Sequence, residues 1–595
     1  MLFSIRSLKH LVVLGIGTVL FLSELYGQSL PVNRQVNWAQ GVSTNVFSYP
    51  TQTIDFVASG GINTGLVAND SVMTAVLSSI SASGAIIYFP AGEYLFNSRI
   101  ILLKKNIVLS GESPNTTTLK FNLGGSNNLI EVKGSQATTT SNFTATALKG
   151  DTTIKLANAS GLQIGNTLKI SDNDSSKVTS NWAIGATGQI VTIKTIQGNI
   201  ITTSNPLRRD YLLTKNPKVT LLNPIKNVGI EKLTIRRLDS TSTQTSAINM
   251  NFAVNCWVSC IKSFNGNYGH ISINNSSNCS VVGSYFQDAF AYGGNGQGYG
   301  VVIQATSGEC LVFNNIFKHL RHSILFQSGS NGNVVSYNYS IDPYWTESFF
   351  PNNSAGDIVF HGNYPYCNLI EGNIVQNIVI DNSHGINGPF NTFHRNRAEL
   401  YGVVMNPTAG DSTNFISNEV TNTTAPYGMF TLTGNGNFQY GNNVKGTLYP
   451  AGSTNPTTNS FYLNDTLPYY VNHSTWPPIG TLTIYNSFDN ESKARFNVSN
   501  LTQCWDILTH STTENADNNQ YSIFPNPVSD KLTINGLKPN DLVTITNSVG
   551  NVLYQHTANI NSENTFITNH FPAGIYFCFI QSNSRKFVIK FLKLN

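Results

Sequence analysis

Cys367-Asn368-Leu369-Ile370-Glu371-Gly372-Asn373-Ile374-Val375 is a short apolar strand running into a turn that carries asparagine, and the chain repeats it. Similar strands begin at Asn227, Asn255, Asn278, Glu309, Gly332, Phe390 and Ser412. Aligned on the shared turn, they set Ser284, Asn315, Asn338, Asn373, Asn396, Asn418 and Asn443 in one column, separated by 31, 23, 35, 23, 22 and 25 residues. Self-similarity at that period marks a solenoid, with the longer spacings carrying loops. Asparagine suits such a turn because it tolerates left-handed backbone angles and stacks its amide from coil to coil. The pattern predicts a parallel β-helix. The same alignment brings Cys256, Cys279, Cys310 and Cys367 to nearly one coil position, an expected inward ladder of small apolar side chains.

Composition agrees with an all-β chain. Of 595 residues, 40% are hydrophobic and only 11% charged, while 75 are Asn and 48 Gly. Asparagine and glycine disfavour long helices and suit turns. The low charge excludes a coiled coil, a charged disordered chain and a basic nucleic-acid binder. The net charge of +4 comes mostly from the two ends, so the body carries no electrostatic statement about its partner. Seven cysteines, with Cys260, Cys504 and Cys578 outside the ladder and no Cys-X-X-Cys, imply neither a disulfide framework nor a zinc site.

The N-terminus carries Arg6 and Lys9, an apolar run from Leu11 to Leu22 and a polar turn at Gly27, which together read as a secretory signal peptide over 1–27. That run is too short to span a membrane. Beyond it, residues 28–133 are expected to hold a capping helix near Asp70 and the first coils. The coil rhythm stops between Gly134 and Tyr211, where short alternating strands predict an inserted β module over 134–211. The main β-helix follows over 212–450, then a Pro, Thr and Asn rich cap and linker over 451–518. The last segment, 519–595, reads as a small β-sandwich of short alternating strands.

Two resemblances extend this reading. The order of helix, apolar strand, Phe89-Pro90-Ala91-Gly92-Glu93-Tyr94 and Leu109-Ser110-Gly111-Glu112 resembles the opening of the pectate-lyase superfamily of right-handed parallel β-helices. In that family the helix caps the open end of the solenoid, and members cleave or bind polysaccharides along the sheet. The segment opening Phe524-Pro525-Asn526-Pro527-Val528-Ser529-Asp530, with Pro572-Ala573-Gly574-Ile575-Tyr576 later, resembles the C-terminal sorting domain of the type IX secretion system of Bacteroidetes. That resemblance implies passage through the outer membrane to the cell surface or the medium, with the type IX machinery as a partner.

Outward side chains of a β-helix form columns about 4.8 Å apart. Counting back from the asparagine column gives a second, polar column of Asn274, Gln304, Gln327, His361, His384 and Asn406. A third is expected to hold His322, Asp357 and Ile380, with Asp381 beside it. Lys318, Arg321, Asn387, Arg395 and Arg397 complete a patch of His, Asp, Arg and Lys in a chain with few charges elsewhere. The long loop with Asp342, Trp345 and Glu347 is a second place to look.

The expected function is a polysaccharide lyase acting on a uronate-containing glycan. Arg321 would neutralise the carboxylate, His361 and His384 would move protons, and His322 would assist, while Lys318, Gln327, Asn387, Arg395 and Arg397 would bind substrate. A glycoside hydrolase using Asp357 with Asp381 is the alternative, because hydrolysis needs two carboxyl groups. A non-catalytic glycan-binding β-helix is the third reading. No cofactor or metal is expected; calcium is conceivable, but no acidic cluster marks a site. Neither a nucleic-acid partner nor a membrane span is expected, and the protein should be a monomer.

Overall fold

The structure, a computed structural model, describes residues 30–38, 49–293, 296–344, 356–456, 458–463, 476–482, 485–504, 521–526, 528–547, 552–559, 564–582 and 585–593. The signal-peptide segment 1–27, most of the linker before the sorting domain, Trp345 and Glu347 lie outside the described residues.

The body is a right-handed parallel β-helix. One face is a sheet of 12 short strands in coil order, from Thr53–Asp55 through Ala85–Phe89, Ile107–Gly111, Gly229–Glu231 and Trp257–Ser259 to Phe438–Tyr440. Strands beyond the turn, such as Ile316–Lys318 and His322–Phe326, build the remaining walls. The interior is a stack of apolar side chains, with Phe393 on Phe415 at 5.1 Å and Phe326 on Phe360 at 4.7 Å between ring centres. Helix Asp70–Ser79 packs its buried Met73 and Val76 into the core of the first coils.

Each short strand is bracketed by residues with positive φ. Asn227, Asn255, Asn278, Glu309, Gly332, Cys367, Phe390 and Ser412 precede it; Lys232, Cys260, Gly283, Asn314, Tyr337, Gly372, Arg395 and Ser417 follow it. Left-handed geometry costs a non-glycine residue about 1–2 kcal/mol, and a buried amide ladder offsets that cost. Asn315 Nδ2 donates to Asn338 Oδ1 at 3.0 Å and to the Val281 carbonyl of the preceding coil at 2.8 Å, while Asn338 Oδ1 also accepts the Asn315 backbone N–H at 2.9 Å. Asn338, Asn373, Asn396 and Asn418 repeat the pattern.

The ladder differs from expectation at its end, where Asn442 rather than Asn443 receives Asn418 at 2.9 Å. The spacing also hides a second ladder, Asn333 to Asn368 to Asn391. It continues the row of Cys256, Cys279 and Cys310, because Cys310 N donates to Asn333 Oδ1 at 3.0 Å. Cys367 is therefore not in the cysteine row. It sits one residue earlier, at the left-handed position, with its Sγ 3.8 Å from the Arg208 carbonyl.

The inserted module is an antiparallel sheet of 6 strands. It runs past the expected boundary at Tyr211, since its strand Lys218–Asn223 pairs with both Thr167–Ser171 and Ser135–Asn142. The helix resumes without a break: Gly229 lies in register with Val108, from before the insertion. The module docks on the coils through Arg208, which bonds Glu309 at 2.9 Å and Asn331 at 3.1 Å.

The tail does not stop over the last coils. It runs back along the second row of left-handed turns, with Gly480 N on Glu419, Asn490 on the Gly372 carbonyl, Arg495 on the Asn314 carbonyl and Gln503 N on the Gly283 carbonyl. Cys504 is thereby brought to Cys260, and the two form a disulfide across a sequence separation of 244. This corrects the expectation of no disulfide: the pairing depends on the path of the tail, which cysteine spacing does not encode.

The C-terminal unit has its own core of Val528, Leu532, Ile534, Val543, Ile545, Cys578 and Ile580. Its sheets are Ser522–Phe524, Lys531–Asn535 and Thr565–Ile567, and Val552–Thr557, Leu542–Asn547, Gly574–Ser582 and Arg585–Lys593.

Replacing Asn373 by Ala strips amide partners from both neighbouring coils inside the protein. Each buried group left unsatisfied costs about 1–3 kcal/mol, so denaturant unfolding should show a loss of about 3 kcal/mol; a loss below ~0.5 kcal/mol would contradict the ladder. Thiol counting gives a second check. The five free cysteines, all buried, should stay unlabelled in the native protein and all react after unfolding, and the remaining two of the seven should appear only after reduction.

Candidate functional site

The candidate site lies on the outward face of one wall of the β-helix. Its strands Tyr299–Gln304, His322–Phe326, Ile358–Phe360 and Ile374–Ile380 pair in parallel, with Phe326 opposite Phe360 and Phe360 opposite Ile380. The residue after each strand end therefore stands in one outward row: Gln327, His361 and Asp381, with Gln304 pairing into the same row. This replaces the expected column, in which His384 followed His361. Counting back from the turn skips the loop Asn382-Ser383-His384, which widens that coil, so Asp381 takes the register position and His384 stands beyond it.

The consequence is a dyad. His361 Nδ1 lies 2.8 Å from Asp381 Oδ2, with the side chains 17% and 12% exposed. Burial alone would raise the Asp381 pKa, but the hydrogen bond and electrostatic attraction to His361 and the Ser383 N–H at 2.9 Å hold it below its ordinary value. Asp381 therefore stays ionised and directs the Nε2 edge of His361 outwards. The ring centre of His384 is 4.8 Å away, edge-on to His361, and that of His322 is 6.1 Å away. Burial and the neighbouring His361 lower the His384 pKa. His322 is lowered to about 3 by burial, with Arg321 and His361 adding to it, and its Nδ1 faces the Gly356 carbonyl at 3.0 Å. Both are neutral near pH 7.

At the other end of the strand, Arg321 Nη1 donates to the Gly293 carbonyl at 2.8 Å and lies 3.5 Å from the Tyr299 hydroxyl. The Tyr299 ring packs tilted against His322 at 4.9 Å and edge-on to Tyr268 at 5.3 Å. Its pKa is raised by burial, which Arg321 opposes and Asp381 reinforces, so the phenol stays protonated. Tyr268 and Tyr299 were missed at the sequence level; they cover buried Val302 and Leu325, and only pairing register reveals them as outward. Gln327 donates to Gln304, which donates to Asn274 at 2.8 Å, so the row becomes a run of amides towards the first coils.

Other expected site residues are not here. Asp357 does not share a column with His322: the pairing of Ile324 with Ile358 sets Asp357 opposite Ser323, one residue along from His322, and Ser323 turns to Ser340 at 2.7 Å. Asp357 points into the coil, fully buried, accepting from Gln376 N at 2.6 Å and Asn377 N at 3.3 Å, and burial raises its pKa to about 6. It lies at the opposite end of the strand from the register position of Asp381, so the two carboxylates are not a pair. Arg395 lies in the turn row and donates to the Ile479 and Gly480 carbonyls of the tail. Arg397 is buried on Glu419 at 2.7 Å. Asn387 is buried and donates to the Asp381 carbonyl at 2.7 Å while accepting from Gly362 N, so it shapes the loop around His361. Lys318 ends a strand of the adjoining wall, between Gln287 and Ile341. Near it, His319 bonds Asp342 at 3.1 Å and packs against the stacked rings of Tyr292 and Tyr344.

Among the described residues no group of three or more His, Cys, Asp or Glu could hold a metal, and no helix is long and apolar enough to cross a membrane.

No curated protein matches the chain. Solved structures are similar to part of the chain. The tailspike protein gp49 of Pseudomonas phage LKA1 is 14% identical with a TM-score of 0.48, and the alignment covers 62% of this chain and 64% of the tailspike. The alginate lyase of Paenibacillus sp. str. FPU-7 is 11% identical with a TM-score of 0.37, covering 65% of this chain and 99% of the lyase. The pneumococcal surface adhesin PfbA is 12% identical with a TM-score of 0.32, over 66% of this chain and 92% of the adhesin. Residues 522–593 match the secretion system C-terminal sorting domain. This domain marks the protein for type IX secretion to the cell surface or the extracellular space.

Proposed function

We propose that this protein is a secreted polysaccharide lyase that cleaves a uronate-containing glycan by β-elimination. The observation that carries the reading is the His361–Asp381 dyad on the outward face, with Arg321 one coil and Tyr299 two coils before His361. Arg321 neutralises the uronate carboxylate, which acidifies the C5 hydrogen. His361 Nε2 takes that proton, and the adjacent Asp381 stabilises the imidazolium that forms. The C5–H electrons become the C4=C5 double bond, the C4–O bond breaks, and the leaving oxygen takes a proton from the Tyr299 hydroxyl. His322 and His384, held neutral, wall the site without competing for the carboxylate. Export to the surface through the sorting domain suits a substrate too large to enter the cell.

The geometry gives less support to hydrolysis. A hydrolase needs two carboxyl groups flanking one bond, whereas Asp357 faces the interior and Asp381 is engaged by His361.

The test is turnover on polyuronates and on neutral glycans, read by the ultraviolet absorbance of the unsaturated product and by reducing ends. His361→Ala should lose about 10²–10⁴ in kcat, and Tyr299→Phe should lose kcat with little change in KM. New reducing ends without the unsaturated chromophore, or near-normal kcat in His361→Ala, would refute the lyase.

Asp357→Asn separates the two mechanisms. The raised pKa of Asp357 means that its ionised form is destabilised by the fold, a penalty complete above pH ~6 and absent below its unfolded value near 3.8. The variant should therefore melt no lower than wild type at pH 7 and retain its activity. A hydrolase relying on Asp357 would lose nearly all turnover.

A further inference from the structure

The inserted module contributes an aromatic ring to the edge of the site. Its loop between the strands Thr167–Ser171 and Gln189–Gln197 crosses onto the coils and presents Trp182, 56% exposed, with its ring edge-on to His384 at 5.5 Å. Ile184 beside it is 62% exposed.

This loop is tied to itself and to the coils by hydrogen bonds. Buried Asp174 accepts from Gly185 N at 2.8 Å and Thr187 N at 3.0 Å, closing the loop on itself. Asn363 Oδ1, two residues beyond His361 in the same coil, accepts from Thr179 N at 3.0 Å and Ser180 N at 3.2 Å. Thr306 Oγ1 donates to the Ala186 carbonyl at 2.6 Å. The approach is close enough to demand glycine on the coils: a Cβ at Gly329, φ +67, would lie 2.0 Å from the Ala186 carbonyl, and one at Gly385, φ +81, 2.6 Å from Thr179. Ser180 Oγ lies 3.3 Å from His384 Nδ1, so the loop also orients that imidazole.

A rigid loop that leaves an indole half-exposed, one ring away from the His361–Asp381 dyad, is built to receive a flat, partly apolar surface. The C–H face of a pyranose is such a surface, and its rim of hydroxyls meets hydrogen-bonding groups at Ser180 and His384. We propose that Trp182 is the stacking platform for the sugar residue neighbouring the one held by Arg321, and that the inserted module thereby determines which glycan is bound. This inference rests on the lyase reading for the neighbouring uronate, but the platform itself needs only a glycan in the site.

Equilibrium binding of tetrasaccharides of polygalacturonate, alginate and cellulose to the secreted protein tests it, alongside KM and kcat on the parent polymers. Trp182→Ala should weaken binding of the best tetrasaccharide and raise KM by about tenfold, the scale of one lost aromatic contact, with kcat within about threefold. Trp182→Tyr should restore most of the affinity, and both variants should melt with wild type because the ring is exposed. Unchanged affinity and KM in Trp182→Ala would overturn the platform, as would a wild-type protein that binds none of the three tetrasaccharides. A loss confined to kcat would overturn it too, because Trp182 would then act on the chemistry. Weakened binding in Trp182→Ala together with full activity in His361→Ala would sustain the platform and refute the proposed mechanism.

Discussion

The buried asparagine ladder is the constraint on which the rest of the structure depends. A solenoid coil must turn sharply inside its own wall, and the turn leaves backbone N–H and C=O groups facing one another across coils with no regular sheet to absorb them. Each ladder carboxamide answers both: its oxygen accepts from the coil before, and its nitrogen donates backwards to a carbonyl and forwards to the next asparagine. Because every amide serves two neighbours, a turn cannot slip by one residue without orphaning groups on both sides. Turn position is thus fixed coil by coil, and with it the face on which each side chain emerges, since a one-residue slip reverses the whole strand.

That constraint also explains which parts of the site were legible in the sequence. Near the ladder, spacing alone located the turns, because left-handed residues and asparagines recur at constant offset from the short strands. Away from it, the count fails where a coil changes length without changing type. The loop Asn382-Ser383-His384 adds residues between strand end and turn, so counting selects His384 where pairing selects Asp381. His322 and Asp357 stand at equal distance from their asparagines, but the pairing of Ile324 with Ile358 puts them one residue out of register, so they emerge on opposite sides. The sequence singled out His361 and Arg321 because their types are rare in this chain; it passed over Tyr299, because a tyrosine in an apolar strand looks like core. Cys260 and Cys504 could not be paired from spacing, since their meeting depends on a tail that doubles back along the turns.

Several buried charges of the body are clamps that hold irregular chain onto the regular coils: Arg208 on Glu309 seats the inserted module, while Arg397 and Gly480 on Glu419, and Arg395 on tail carbonyls, seat the tail. Such buried pairs add little net stability, because desolvation opposes their attraction, but a misplaced segment would leave an unpaired charge inside the protein. They therefore act on specificity of docking rather than on its strength. The pair His361–Asp381 is different in kind: it joins no added segment to the coils and keeps part of its surface towards solvent.

A bare β-helix wall is a repetitive surface, and repetition alone cannot mark one place along it for chemistry. Every coil presents the same rows, and amide side chains such as Asn274, Gln304 and Gln327 simply continue one another. The place is marked where repetition breaks. The widened coil at residues 382–384 brings Asp381 under His361 and frees His384, and the inserted module crosses onto the wall at that same loop, resting on Asn363 and Gly385. Two departures from the regular coil, one a short loop and the other an entire antiparallel module, thus converge on a single dyad. Their coincidence, more than the residue types taken singly, distinguishes this stretch of the wall from the rest of the solenoid.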